Sequence, residues 1–218
     1  MSAKSVVVFG LGKFGRSLAA ELDRNGAEVL AVDIDKEVAQ SFSTEYPNIE
    51  IKICDVNDSS VLGSLGISNM DAAVIAITGN LDSSIIATMY AKEAGVPMIF
   101  AKAKDDTHSR ILNKLGADRV IIPEKTTGIH AAQQILTDNV LDYIELSKEV
   151  RMVEISPRNE WIGKTIKELN LRKKEHINII AIRTPNNLCV DIDPETMMTK
   201  DSSLLVIVEE KYLGHLLR

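Results

Sequence analysis

Long apolar runs are missing from this sequence of 218 residues. No stretch without Asp, Glu, Lys or Arg is longer than twelve residues, and polar residues and glycine interrupt the one at residues 126–137. A helix that crosses a bilayer needs about 20 consecutive, mostly apolar residues, so the sequence predicts no transmembrane segment. The N-terminus also lacks the basic-then-apolar order of a secretory signal, and we therefore expect a cytoplasmic protein.

Cysteines and an excess of basic residues are missing as well. The two cysteines, Cys54 and Cys189, lie 135 residues apart, which indicates neither a disulfide framework nor a metal cluster. Lys and Arg number 25 against 31 Asp and Glu, a net charge of -6. This balance argues against non-specific binding to nucleic acid or to an anionic membrane. Any role at a membrane therefore requires a protein partner.

Apolar β-branched runs alternate with amphipathic stretches through residue 133. This alternation is the pattern of a parallel sheet wrapped by helices. Six strands are predicted, at residues 5–9, 28–32, 49–53, 72–77, 98–101 and 119–122. Four of the helical stretches between them end in a glycine that suits the left-handed conformation after a helix C-terminus: Gly26, Gly66, Gly95 and Gly116.

The pattern changes after Pro123, where residues 124–139 form one long predicted helix that leaves the sheet. Further strands are predicted at residues 152–155, 178–182 and 204–208, with short helices near residues 165–169 and 211–217. We place the domain boundary near residue 140. The first domain, residues 1–140, then includes the long helix, and residues 141–218 form a small α+β domain.

The segment SVVVFGLGKFGRS carries a GxGxxG motif between a predicted strand and a predicted helix. Gly10 permits a tight turn, Gly12 allows the backbone to approach a phosphate, and Gly15 lets the helix pack close to the sheet. The helix N-terminus offers free N–H groups to an anion. The motif predicts a Rossmann-like, doubly wound parallel sheet that binds a nucleotide; a glycine loop used only for packing is the alternative.

Asp33 closes the second predicted strand, eighteen residues after Gly15. A carboxylate at this position can accept hydrogen bonds from both hydroxyls of a ribose. The same carboxylate would repel a 2′-phosphate, so NADP is disfavoured.

Polar residues also follow the third and fourth predicted strands, at the sheet edge where this fold places its ligands. Asp55 either meets the base of the nucleotide or caps the helix that begins near Asp58. Thr78 and Gly79 are expected beside the phosphates.

Charged residues follow the fifth and sixth predicted strands. Lys102 either supplies positive charge to the phosphates or is a solvated loop lysine. Glu124 is either a helix-start acid or a metal ligand, because a carboxylate near a triphosphate is unfavourable unless a cation lies between them.

Catalytic motifs are not evident. GxSxG, HExxH and CxxC do not occur, and each of the four histidines is expected on a surface or a helix face: His108, His130, His176 and His215. The 78 residues of the second domain leave little room for a catalytic domain. A nucleotide held without chemistry suggests a sensor, while an NAD-dependent oxidoreductase and a purely structural interaction module remain alternatives.

Four segments resemble the RCK family: GLGKFGRSLAAEL, EVLAVDID, GADRVIIPEK and LNLRKKEHINIIAI. Within that family the chain is similar to the cytosolic regulatory subunits of Ktr/Trk-type potassium uptake systems, which combine a TrkA-N with a TrkA-C domain. The resemblance covers nearly the whole chain. It implies dimers that close into an octameric ring on a membrane-embedded potassium-translocating subunit similar to KtrB, KtrD or TrkH. It also implies that ATP favours the conducting form and ADP the inactive form.

The resemblance assigns roles to residues of the first domain. Gly10, Gly12 and Gly15 fall at the phosphates together with the loop residues Lys13 and Phe14, Asp33 at the ribose, Asp55 near the adenine, and Glu124 at a divalent cation, Mg²⁺ or Ca²⁺, held with ATP. Lys13 stands where close relatives often have an arginine that reaches the γ-phosphate across the dimer. Lysine keeps that charge but lacks the planar, bidentate fork of arginine.

The resemblance also implies a second ligand, because some relatives bind cyclic di-AMP in a groove of the TrkA-C domain. Arg172, Asn178 and Pro194 are the residues that would line this groove. Arg172 begins a basic cluster with Lys173 and Lys174, and a solvated basic turn is the alternative interpretation.

Overall fold

The computed structural model describes residues 3–136 and 140–216. The chain divides into two compact units, residues 1–124 and 125–218. None of the helices in the described ranges is both long and apolar enough to cross a membrane.

Six parallel strands form the sheet of the first unit: β1 (Ser5–Phe9), β2 (Glu28–Asp33), β3 (Glu50–Ile53), β4 (Ala72–Ile75), β5 (Ile99–Lys102) and β6 (Arg119–Ile121). Their order is β3-β2-β1-β4-β5-β6. The chain therefore winds outward in one direction from β1 and in the other from β4, and a ligand crevice opens where the direction changes, at the carboxyl ends of these two strands. The prediction of a Rossmann-like parallel sheet is confirmed.

The four inner strands of this sheet, β1, β2, β4 and β5, are largely buried on both faces, as expected of parallel strands covered by helices. Along β1, Val7 and Phe9 pack into one core and Val6 and Val8 into the other. The covering helices are α1 (Lys13–Arg24), α2 (Lys36–Glu45), α3 (Ser59–Ser64), α4 (Leu81–Glu93) and α5 (Asp106–Lys114). The four glycines predicted after helix ends have φ between 65° and 100°, which confirms that prediction: Gly26, Gly66, Gly95 and Gly116.

Helices α2 to α5 each begin at a side chain that accepts a hydrogen bond from the first turn: Asp35, Asp58, Asn80 and Asp105. Such caps satisfy N–H groups that have no partner within the helix. Helix α1 is the exception, since it begins at Gly12 and no described side chain caps it. Its first turn also contains no acidic residue.

Helix α6 (Pro123–Leu136) spans the division between the two units. The sequence places the boundary near residue 140, with this helix in the first domain, whereas the two compact units divide after Glu124. The two divisions differ mainly by α6, and the assignment of α6 to the first domain stays a prediction. The end of the helix predicted at residues 124–139 lies partly outside the described residues.

The second unit is an antiparallel sheet with short helices. Its strands are β7 (Val140–Glu145), β8 (Val150–Ile155), β9 (Ile177–Thr184), β10 (Asn187–Cys189) and β11 (Ser203–Glu209), in the order β10-β9-β11-β8-β7. Its short helices are α7 (Ile166–Leu169), α8 (Leu171–Lys174) and α9 (Glu210–Leu216). Val153, Trp161, Ile177 and Leu204 are central to its core. The predicted α+β class is confirmed, and β7, β10 and α8 are additions that the sequence pattern did not predict.

Candidate functional site

The glycine loop brings backbone against backbone at the end of β1. Gly10 has φ +97° and donates its N–H to the Val32 carbonyl oxygen at 2.7 Å. A Cβ on Gly15 would lie 1.9 Å from the Gly10 carbonyl oxygen. Because no side chain fits there, Gly15 lets α1 pack directly on the turn, which is the packing role expected of the third glycine in the motif.

Gly12 has a different environment. Its backbone is extended, and a Cβ built on it would meet no described atom within 4 Å. The space beside Gly12 therefore adjoins the uncapped N–H groups of α1. An N-terminus of this kind attracts anions through its free donors and its dipole.

Asp33, at the end of β2, ties the glycine loop to the neighbouring strand. Its Oδ2 accepts the Leu11 N–H at 2.5 Å, and its Oδ1 accepts the Asp35 N–H at 2.9 Å. Each carboxylate oxygen has two lone pairs, so both oxygens keep capacity for a ribose hydroxyl. Asp33 thus has a structural role in addition to the predicted binding role.

A cavity of about 450 Å³ opens at the carboxyl ends of β1 to β4. This volume lies within the range of small-molecule sites. Six of the predicted binding residues line it: Gly10, Gly12, Asp33, Asp55, Thr78 and Gly79. Lys13, Phe14, Gly15 and Lys102 are not among its lining residues.

Sequence reasoning missed several lining residues. Two of them, Asn57 and Ser83, are polar, and Ile34 is an apolar side chain at the end of β2 with 64% of its surface exposed. Asn57 belongs to the polar run Asp-Val-Asn-Asp after β3, which is a turn signal. Ser83 lies in the first turn of α4, where a serine carries no signal of its own.

Asp55, Asn57 and Ser83 form one hydrogen-bonded row along the cavity. Asp55 Oδ1 accepts the Asn57 backbone N–H at 2.9 Å and the Asn57 Nδ2 amide at 2.7 Å. The same amide donates to Ser83 Oγ at 3.0 Å. Asp58, and not Asp55, caps α3, so the capping interpretation of Asp55 is wrong and its carboxylate stands at the cavity.

Lys102 is a buried lysine, and the interpretation as a solvated loop residue is wrong. Its Nζ donates to Glu124 Oε1 at 2.6 Å and lies 5.8 Å from the centre of the Phe14 ring, in the first turn of α1. The hydrogen bond from Lys102 lowers the pKa of the Glu124 carboxyl, and a backbone hydrogen bond adds to the effect. This ion pair links the first turn of α6 to the end of β5.

Glu124 is the predicted cation ligand. Within the described ranges no group of three or more His, Cys, Asp and Glu side chains could hold a metal ion. A cation at Glu124 would therefore take most of its oxygen ligands from phosphates and water, which is how Mg²⁺ is usually bound. The exposed carboxylate fits that arrangement as a single protein ligand.

A second cavity, of about 440 Å³, lies in the second unit. Its lining includes Arg172, Asn178 and Pro194, the three residues assigned to a cyclic di-AMP groove. Leu171 anchors α8 in the core, while Arg172 is exposed. These three predicted residues thus share one cavity.

His108 lies on α5, as the helix alternative predicts, and not on the surface, since it is 1% exposed. Its Nδ1 accepts the Lys104 N–H at 3.2 Å, and its Nε2 lies 3.1 Å from Ser84 Oγ on α4. Because Nδ1 is the acceptor, we place the ring proton on Nε2, which then donates to Ser84. Burial lowers the pKa of His108.

Two domain families match the chain. The TrkA-N domain matches residues 6–123 and the TrkA-C domain matches residues 150–218. Among similar curated proteins, Ktr system potassium uptake protein A of Bacillus subtilis (strain 168) is 37% identical over 95% of this chain and 93% of its own length. Protein C of the same organism is 38% identical over 94% and 91%. The protein A of Vibrio alginolyticus is 30% identical over 99% and 97%.

Solved structures share the fold. The GsuK RCK domain superimposes with a TM-score of 0.70 at 20% identity, over 99% of this chain and 47% of that one. The GsuK channel bound to NAD gives 0.69 at 19% identity, over 99% and 39%. The chain therefore spans less than half the length of these solved chains, and at such identities the likeness shows the fold alone.

Proposed function

Because the chain belongs to the family of proteins with TrkA-N and TrkA-C domains, and close relatives are Ktr system potassium uptake proteins A and C, we propose that it is the nucleotide-sensing regulatory subunit of a potassium uptake system. The observation that carries the proposal is the cavity at the glycine loop. There, uncapped N–H groups of α1 adjoin open space at Gly12, and Asp33 stands at the end of the next strand.

The proposed ligands are ATP and ADP, which share their adenosine and differ by the γ-phosphate. Asp33 would accept the ribose hydroxyls, and the N-terminus of α1 would bind phosphates common to both nucleotides. Discrimination must then involve groups near the γ-phosphate. Two cations are candidates: Lys13 is the first residue of α1, and Lys102 Nζ lies 5.8 Å from the centre of the Phe14 ring.

The Lys102–Glu124 ion pair supports a route from the nucleotide to α6. A γ-phosphate that attracts Lys102 would weaken its bond to Glu124, and the released carboxylate would hold Mg²⁺ or Ca²⁺ together with that phosphate. Because Glu124 lies in the first turn of α6, such a change would act directly on the helix that spans the two units. ADP lacks this differential contact, and a ligand shifts a conformational equilibrium only by its differential affinity for the two states.

The second cavity supports a second, inhibitory signal, cyclic di-AMP. Arg172 would bind its phosphates, and a two-fold arrangement of two chains would present two such arginines to a symmetric ligand. Arg172→Ala should remove the thermal shift caused by cyclic di-AMP while the shift caused by ATP remains.

The assembly we propose is an octameric ring of dimers, bound to a membrane-embedded potassium-translocating subunit. Helix α6 exposes Ile129 and Ile135, which are 49% and 81% accessible in the isolated chain, and this supports contact with another copy. Mass measurement in solution tests the ring. Potassium flux through the reconstituted complex, with ATP and then with ADP, tests the regulation.

A thermal-shift screen tests the nucleotide proposal, because a ligand that binds only the folded state raises the melting temperature. We expect ATP and ADP to raise it, and Mg²⁺ or Ca²⁺ to add to the ATP shift alone. NAD and NADH belong in the screen because the GsuK channel, a structural neighbour, is described as bound to NAD. A shift with NADH and none with ATP would favour an NAD(H)-sensing module or an oxidoreductase.

A further inference from the structure

The hydrogen bonds around Asp55 leave its two carboxylate oxygens in different states. Oδ1 accepts two hydrogen bonds, both from Asn57, and two bonds use both of its lone pairs. No group in the part of the chain that the structure describes bonds Oδ2. The Asp55 carboxylate can therefore offer a ligand one available oxygen, Oδ2, and not two.

Ser83 fixes the orientation of the amide that occupies Oδ1. Asn57 Nδ2 has two hydrogens, and it donates one to Asp55 Oδ1 and the other to Ser83 Oγ. Rotating the amide by half a turn would set its oxygen against the carboxylate, so the network admits one assignment of the amide. Ser83 is itself 7% exposed and donates its backbone N–H to Asn80 Oδ1 at 3.2 Å, which ties the row to α4.

The walls near Asp55 suit a flat heterocycle. Ile34, Val56 and Ile77 line the same cavity. Ile34 is exposed, so a ligand that covers its side chain is stabilised by the apolar surface removed from water. Asp33, on the strand between β1 and β3, is the group suited to a ribose. A base attached to that ribose would extend toward Ile34 and Asp55.

The two purines present different hydrogen-bonding groups to a carboxylate. Guanine offers two adjacent N–H donors, N1–H and the N2 amine, which bind a carboxylate as a fork that uses both oxygens. Adenine offers one exocyclic amine beside an acceptor nitrogen, and a single oxygen satisfies it. We infer that Asn57, held by Ser83, makes Asp55 a one-oxygen acceptor and so selects adenine over guanine nucleotides. This inference rests on the proposed function, since it assigns base specificity to the same cavity.

The test compares ATP, GTP and inosine triphosphate on the full chain by isothermal titration. The wild type should bind ATP at least about tenfold more tightly than GTP, because a missing hydrogen bond to a charged group typically changes affinity by that factor or more. Asn57→Ala frees one lone pair of Asp55 Oδ1, so the ATP/GTP ratio should fall by about tenfold. Inosine lacks the N2 amine, so in Asn57→Ala inosine triphosphate should gain less affinity than GTP.

Two further variants complete the design. Ser83→Ala should lower the ratio less than Asn57→Ala, because Asn57 keeps its own bonds to Asp55. Ser60→Ala is the matched control: its hydroxyl bonds Asp58 at 2.6 Å on the adjacent helix, and it is not among the cavity residues, so the ratio should not change. Melting temperatures without nucleotide show whether each variant folds, and Ser83→Ala carries the test if Asn57→Ala does not.

Each outcome separates the inference from the proposed function. A wild type that binds ATP and GTP equally, or an unchanged ratio in folded Asn57→Ala, overturns the inference while nucleotide sensing stands. A ratio that falls in the two cavity variants and not in the control supports it. A wild type that binds no nucleotide overturns the proposed function, and the inference with it.

Discussion

Asp33 has a structural role in the fold and, in our proposal, a binding role at the ribose. Its carboxylate holds Leu11 of the glycine loop and Asp35 at the start of α2, and its remaining lone pairs are free for a ribose. A substitution at Asp33 therefore has two effects, one on stability and one on affinity, which require separate measurements.

We predict that Asp33→Ala lowers the melting temperature of the nucleotide-free protein and weakens ATP and ADP about equally, by about 1 to 3 kcal/mol each. The losses should match because both nucleotides have the same ribose. Calorimetric titration and thermal unfolding measure the two effects. Unchanged affinity for both nucleotides would remove Asp33 from the site.

Asp71→Ala is a matched control for this variant. Asp71 Oδ2 accepts the Ser5 N–H at 2.8 Å, a carboxylate-to-backbone bond at the opposite end of β1. This variant should lose stability in a similar way and keep its nucleotide affinity.

The residues that sequence reasoning found are those whose role depends on local chemistry. Gly10, Gly12 and Asp33 stand out because a strand, a glycine motif and an acid occur at fixed spacing. Asn57 and Ser83 do not stand out, because their role is a contact between residues 26 positions apart. The sequence likewise leaves two roles open for Asp55. The structure decides between them, because Asp58 is the residue that caps α3.

At the scale of elements, the contact between the glycine loop and α1 separates a folding role from a binding role. Gly15→Ala should destabilise the protein by about 3 kcal/mol, since the added methyl would overlap the Gly10 carbonyl and force backbone movement. Gly12→Ala should change the free energy of unfolding by only about 1 kcal/mol, because its methyl meets no described atom within 4 Å. It should nevertheless weaken the binding of ATP at least about tenfold, because the methyl would occupy the space through which a phosphate approaches the backbone. Urea unfolding and ATP titration of both variants check the pair. Equal loss of stability in the two would contradict it.

The contact between α4 and α5 should make stability depend on pH. Burial lowers the pKa of His108 below its ordinary value of 6.5, against the opposing charge of Asp105 and with the help of Lys104. Below pH 6.5 the unfolded chain therefore binds more protons than the native state, so this contribution to stability is complete above pH 6.5 and is lost as the pH falls.

We predict that His108→Asn, which keeps an acceptor for the Lys104 N–H, flattens this loss between pH 7.5 and 5.5. Each proton contributes at most about 1.4 kcal/mol per pH unit. Urea unfolding across that range measures it. An identical slope in wild type and variant would place the pH dependence elsewhere.

Elements with a strong apolar pattern were predicted well, whereas β10 and α8 were not. The four inner strands of the parallel sheet follow from buried apolar runs. Strand β10 has three residues, all exposed, so no apolar periodicity marks it, and α8 has only four residues. Both elements contact β9, and a local sequence pattern cannot encode such a partner.

At the scale of the whole molecule, Glu124 is the residue that we propose connects nucleotide binding to α6. Glu124→Gln keeps the shape and removes the charge. We predict that this variant binds ADP nearly as the wild type does and loses the increment that a divalent cation adds to the melting temperature of the ATP complex. Melting with ATP, with and without Mg²⁺ or Ca²⁺, measures the increment.

If the variant keeps the full increment, Glu124 serves only as an acid in the first turn of α6. Glu160→Gln is a matched control, since Glu160 also sits in the first turn of a short helical segment and pairs loosely with Arg158 at 3.9 Å in the second unit. It should leave the cation increment unchanged.

Domain class and family were readable from the sequence at this scale, whereas assembly was not. Exposed isoleucines such as Ile135 look the same in a sequence whether water or a second copy covers them. The predicted and observed positions of the domain boundary differ for a similar reason, because a helix between two domains carries apolar positions that suit either domain.

The lining of the first cavity comes entirely from residues 10–83, and that of the second from residues 166–194. More than eighty residues separate the two stretches, and neither interrupts the other. Lys102 and Glu124, which we propose act on the nucleotide, lie inside this interval, so a genetic exchange between residues 125 and 165 would transfer one proposed binding site whole and leave the other intact. Lineages could therefore inherit, lose or replace the two proposed sites independently, without building a new cavity across a junction.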